Sequence, residues 1–101
     1  MQNFKEETMD RLGLIQVKEF SLRVTLHLEK TVLPEIWKNK CSNTYMYSGT
    51  ELDLKNLDFD YNEGFGNQVI DGWISFKDNS WIERWEYDGS EGWCYKECPT
   101  L

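Results

Sequence analysis

The sequence predicts a mainly β, small α+β domain: an antiparallel meander sheet with a C-terminal pair of hairpins and one short helix. Three observations predict it. Phe20, Leu22, Val24, Leu26 and Leu28 alternate with polar or charged neighbours, the period of two that marks a half-buried strand. Three strand-like segments near the C-terminus are separated by Asp78-Asn79 and Asp88-Gly89, dipeptides favoured in tight hairpins. An aromatic share of 15%, with five tryptophans, supplies enough buried area for one core in a chain of 101 residues.

Taken in order, residues 1–13 are polar and read as a short helix or a frayed end, with Asn3 and Glu6 spaced as in a capping box. A strand is expected over 16–29. Pro34 opens a helical turn through Trp37, a position where proline is tolerated. Further strands are expected near 43–47 and 51–61. Within the second, the parity of the apolar residues changes at Lys55-Asn56, from Leu52 and Leu54 to Leu57, Phe59 and Tyr61, so a bulge or turn belongs there. A loop is expected over residues 62–67, rich in glycine and asparagine. The last three strands cover 68–77, 81–87 and 92–97. If both hairpin turns hold two residues, Phe76 faces Trp81, Ile74 faces Glu83, Trp73 faces Arg84, and Arg84 faces Trp93. Arg84 would then lie between two indoles, in reach of cation–π contact. The whole chain, residues 1–101, reads as one domain.

Charge narrows the function. The formal net charge is −7, and it is uneven: residues 1–50 hold seven Lys/Arg against six Asp/Glu, while residues 51–101 hold four against twelve. Such a field repels phosphate and attracts basic surfaces, which argues against direct nucleic-acid binding and for a basic protein partner. No apolar run is long enough for a membrane span, and residues 1–7 lack the pattern of a signal peptide. With three cysteines, Cys41, Cys94 and Cys98, a reducing, cytoplasmic setting is expected.

Catalytic signatures are missing. His27 is the single histidine, and no nucleophile motif surrounds it. Cys94-x-x-x-Cys98 with Cys41 and His27 is too dispersed for a recognisable zinc site, and the order of acids around Asp53–Glu63 is not that of a calcium loop. No enzyme activity, metal or cofactor is therefore expected.

The stretch from Asp71-Gly72-Trp73 through Lys77-Asp78-Asn79-Ser80-Trp81-Ile82-Glu83-Arg84 and Glu86-Tyr87-Asp88-Gly89-Ser90-Glu91-Gly92-Trp93 to Cys98-Pro99 resembles the C-terminal segment of short, functionally unassigned proteins of tailed bacteriophages of enteric bacteria. Their pattern is Lys-Asp-Gly-x-Trp-x-x-Arg, then Glu-Tyr-Asp-Gly-Ser-Glu-Trp-Trp and soon Cys-Pro. Here Asn79 and Gly92 replace a glycine and a tryptophan, which puts any shared surface at position 92 in doubt. The resemblance covers roughly the last third of the chain and implies a context, because small acidic phage proteins are frequently inhibitors of host machinery or host defence. The expected function is a phage-encoded inhibitor that binds a basic host protein, of defence or nucleic-acid processing, by imitating the phosphate backbone. The partner-facing residues expected are Glu51, Asp53, Asp58, Asp60, Glu63, Glu86, Asp88 and Glu91, with Trp73, Arg84 and Trp93 as anchors. A nucleotide sponge and a structural phage protein are the alternatives, and a homodimer stays open.

Overall fold

The computed structural model describes residues 2–12, 16–26, 32–41, 43–61, 68–87 and 90–97. The elements run β1 (Gln2–Asn3), α1 (Phe4–Leu12), β2 (Val17–Thr25), β3 (Lys38–Cys41), β4 (Thr44–Gly49), a 3-10 helix (Leu54–Leu57), β5 (Asp60–Tyr61), β6 (Ile70–Phe76), β7 (Ser80–Tyr87) and β8 (Ser90–Glu97). Six strands form one antiparallel sheet in the order β3-β4-β2-β6-β7-β8, and β1 pairs with β5 in a separate two-stranded ribbon. The predicted class holds: a mainly antiparallel β domain with one helix and C-terminal hairpins.

The large sheet has one covered face. Phe20, Leu22 and Val24 of β2, Ile70, Ile74 and Phe76 of β6, and Ile82 of β7 point into the core, as the period of two requires. Over them lie α1, the 3-10 helix and the β1–β5 ribbon. Helix α1 is capped by Asn3, whose Oδ1 accepts the Glu6 amide at 3.0 Å, and Glu6 and Glu7 in its first turn suit the helix dipole. Only Phe4 and Thr8, one turn apart, are buried on it. So narrow an apolar stripe explains why the sequence leaves helix and frayed end undecided.

Aromatic rings connect the two ends of this core. Phe20 meets Tyr47 at 4.7 Å between centroids, Tyr47 meets Trp37 at 5.5 Å, and Trp37 meets Phe59 at 5.7 Å. Phe59 then meets Phe4 at 5.5 Å, and Phe4 stacks on Trp93 at 5.7 Å. Polar tips of these rings tie the covering segment down: Trp37 Nε1 donates to the Asn56 carbonyl at 2.8 Å, and Tyr47 Oη accepts from the Asp53 amide at 3.2 Å.

Three expectations need correction. The strand expected over 51–61 is mostly not a strand. Asp53 caps a 3-10 turn by accepting the Lys55 amide at 3.1 Å, so the parity change at Lys55-Asn56 marks that turn, and only Asp60–Tyr61 pairs. The turn expected from Pro34 through Trp37 forms, closed by the Trp37 amide on the Pro34 carbonyl at 3.2 Å, and an unexpected edge strand, β3, follows it. The β6–β7 register is one residue away from the expected one: Trp73 faces Glu83, Ile74 faces Ile82, and Ser75 faces Trp81. Lys77–Asn79 form a three-residue connection in which Asn79 takes φ 70° and the Asp78 carboxylate accepts the Ser80 amide at 3.0 Å. Because a slip of one residue turns a strand over, Trp73 stands on the opposite face from Arg84, and the expected double-indole sandwich of Arg84 does not form. In the β7–β8 hairpin, Arg84 does face Trp93, as expected from a two-residue turn. The turn residues Asp88 and Gly89 lie outside the described residues, as does His27.

Candidate functional site

Three groups of side chains carry chemistry. The first is a row of carboxylates on the covering layer. Along Leu57–Tyr61 the apolar side chains are buried and Asp58 and Asp60 are exposed. The Asn3 side chain, whose oxygen caps α1, donates through its amide to Asp58 at 3.1 Å and to Asp60 at 3.0 Å. One asparagine thus fixes two carboxylates, whose bonded oxygens lie no more than about 6 Å apart. Glu51 and Asp53 are also exposed, ahead of the 3-10 helix; Asp53 is fixed as its cap and pairs with Lys55 Nζ at 3.5 Å.

The second group is buried. The Arg84 side chain has no solvent exposure. It donates to Glu7 at 2.6 Å, to Glu91 at 2.9 Å and to the Tyr61 hydroxyl at 3.0 Å. Its guanidinium carbon lies 5.0 Å from the Trp93 ring centre, 5.4 Å from Phe4 and 5.8 Å from Tyr61. Glu91 also accepts the amides of Val69 at 2.7 Å and Ile70 at 2.9 Å, closing the start of β6. The Tyr61 hydroxyl lies 2.7 Å from the nearer Glu7 oxygen and donates to that carboxylate. Burial pushes the Tyr61 phenol above its ordinary value of about 10; Arg84 opposes this and the Glu7 bond adds to it. Trp93 Nε1 donates to Thr8 Oγ1 at 3.0 Å. Glu7, Thr8 and Phe4 all belong to α1, so this polar cluster also fastens the helix to the sheet.

The third group lies on the outer face of the large sheet, which no described element covers. Trp73, Trp81 and Trp85 stand there, with Trp73 38% and Trp85 42% exposed. The charges on this face are partly paired: Arg23 bonds Asp71, and Lys96 lies 3.9 Å from Glu83. Trp85 lies across Gly92, its cross-strand partner; a Cβ at position 92 would sit 3.2 Å from the indole nitrogen. The absence of a side chain at Gly92 therefore makes room for a neighbouring tryptophan.

The expected site residues divide accordingly. Glu51, Asp53, Asp58 and Asp60 are exposed along residues 51–60, and Glu86 is exposed on β7. Trp73 is an outer-face side chain. Arg84, Glu91 and Trp93 are buried, so the folded domain does not present them to a partner. Glu63 and Asp88 lie outside the described residues. Sequence reasoning missed Glu7 and Tyr61 as partners of Arg84. The available signal was parity: Arg84 shares the inward face of Ser80 and Ile82, where an arginine needs carboxylates.

Among the described residues no group of three or more His, Cys, Asp or Glu side chains is gathered as for a metal ion, and no helix is long and apolar enough to cross a membrane. Comparison with protein-family models, with curated proteins and with solved structures gives no match to this chain.

Proposed function

We propose that this protein is a small acidic inhibitor, encoded by a bacteriophage, that binds a basic surface of a host protein of defence or nucleic-acid processing in place of a phosphate backbone. The observation that carries the reading is the Asn3-braced pair, Asp58 and Asp60, in a segment that also exposes Glu51 and capped Asp53. Carboxylates held by hydrogen bonds lose little freedom on docking, which favours affinity and fixes register. A net charge of −7 adds long-range attraction to a basic partner. The phage context rests on the C-terminal sequence resemblance alone.

The test uses isosteric neutralisation, because reversing Asp58 and Asp60 would also break the Asn3 brace. Glu51→Gln, Asp53→Asn, Asp58→Asn and Asp60→Asn together remove four charges and keep acceptors for Asn3 and for the Lys55 amide. Tagged wild-type protein is expected to capture a nucleic-acid-binding protein from enteric bacterial lysate, and the neutralised variant to lose it. Capture of the same partner by both would overturn the reading.

A further inference from the structure

The geometry points to a recognition site on the outer sheet face: the slot between Trp73 and Trp81 takes the guanidinium group of an arginine side chain from a partner protein. The site deepens the proposal of a basic partner and rests on it, but it lies on the face opposite the carboxylate row.

The slot follows from the β6–β7 register. Trp73 faces Glu83 and Ser75 faces Trp81, so the two indoles occupy diagonal corners of one cross-strand square. Both indoles line one cavity, with Ser75 and Glu83 on the other diagonal of that square. Ser75, a small residue, leaves the floor low, and its hydroxyl already donates to the Glu19 carbonyl at 3.1 Å. The resulting cavity has a volume of about 370 Å³, lined also by the side chains of Glu19, Glu83 and Lys18. That is room for a side chain with its stem.

Charge selects the occupant. Two carboxylates and one lysine line the cavity and Lys96 stands 3.9 Å from Glu83, so no excess of positive charge is there to hold a phosphate or carboxylate ligand. A neutral ring would stack but leave both carboxylates without a new partner. A guanidinium is flat, stacks on indole and carries five donors, so it answers the rings and the carboxylates together. The compact ammonium of lysine does not stack. The protein already uses the same combination internally, where Arg84 sits against Trp93, Tyr61 and Phe4 and bonds Glu7 and Glu91. Among the described residues Glu83 pairs with Lys96 at 3.9 Å, a loose exposed pair that an incoming guanidinium can displace.

Two capped octapeptides, glycine alternating with arginine and glycine alternating with lysine, serve as probes of the intact protein. Binding is read by tryptophan fluorescence and by the indole N–H signals in NMR spectra. The arginine peptide is expected to bind about fivefold more tightly than the lysine peptide and to shift the Trp73 and Trp81 signals. Trp73→Ala, Glu19→Gln and Glu83→Gln should each erase that preference, while Trp85→Ala, outside the slot, keeps it. The two glutamine variants carry the test if Trp73→Ala unfolds the domain. The four-site neutralised variant separates the two proposals: it should bind both peptides less tightly yet still prefer arginine. Equal affinity for both peptides, or a preference that survives Trp73→Ala and Glu83→Gln, would overturn the slot and leave the carboxylate row untouched. Tighter binding of adenosine than of the arginine peptide would overturn the cation assignment.

Discussion

Arg84 is the residue on which most of the interior depends. A guanidinium without solvent exposure is tolerable only because Glu7, Glu91, Tyr61 and three ring faces surround it. Arg84→Met leaves two carboxylates without their counter-charge, Glu91 fully buried and Glu7 nearly so. The expected loss is about 3–5 kcal/mol in urea denaturation, against less than about 1 kcal/mol for Arg23→Met in the exposed pair with Asp71. Tyr61 gives the pH signature. Its folded-state pKa is raised, so its contribution is complete below the unfolded value of about 10 and is lost as pH rises through the folded value. Stability should fall above pH 10 with a slope approaching about 1.4 kcal/mol per pH unit from this group. Tyr61→Phe should lower stability at neutral pH and reduce that alkaline slope by one proton's worth, as measured by denaturation between pH 8 and about 11.5.

At the scale of elements, alternation carries the prediction wherever a strand is half-buried. β2 and the C-terminal hairpins were legible because Phe20-x-Leu22-x-Val24 and the apolar residues of β6 repeat every second position. β3 was not, because Lys38-Asn39-Lys40-Cys41 is an edge segment with no apolar period. The register of β6 on β7 depends on a single left-handed residue, Asn79, and dipeptide rules alone do not separate a two-residue from a three-residue turn. That one step decided whether Trp73 joined Arg84 or faced solvent, and the expected double-indole sandwich was lost with it. The Asp58–Asp60 row was legible from alternation with Leu57, Phe59 and Tyr61, but its brace by Asn3, more than fifty residues away, was not. Two substitutions test the elements. Asn79→Ala should cost about 1–2 kcal/mol while Asn79→Gly stays near neutral, because only the backbone angle is at issue. Gly72→Ala should prevent folding or cost more than about 4 kcal/mol: its Cβ would lie 2.1 Å from the Ser21 carbonyl, at φ +130°.

For the molecule as a whole, the sheet separates two surfaces of different character. The covering layer presents fixed carboxylates, and the outer face presents tryptophans among partly paired charges. A layer that works by charge alone depends more steeply on ionic strength than a face where stacking on indoles shares the work, since surface charges are screened within about 8–10 Å at ordinary salt. The central claim, that fixed carboxylates stand in for phosphate, is tested most directly by the dissociation constant of the captured partner from 50 to 500 mM salt. Wild type and the four-site neutralised variant are compared, with duplex DNA as competitor. The account predicts a steep weakening with salt for wild type, a shallower slope and at least about tenfold lower affinity for the variant, and release of the partner by duplex DNA. Equal affinities and equal salt slopes for the two proteins, with no release by DNA, would contradict it.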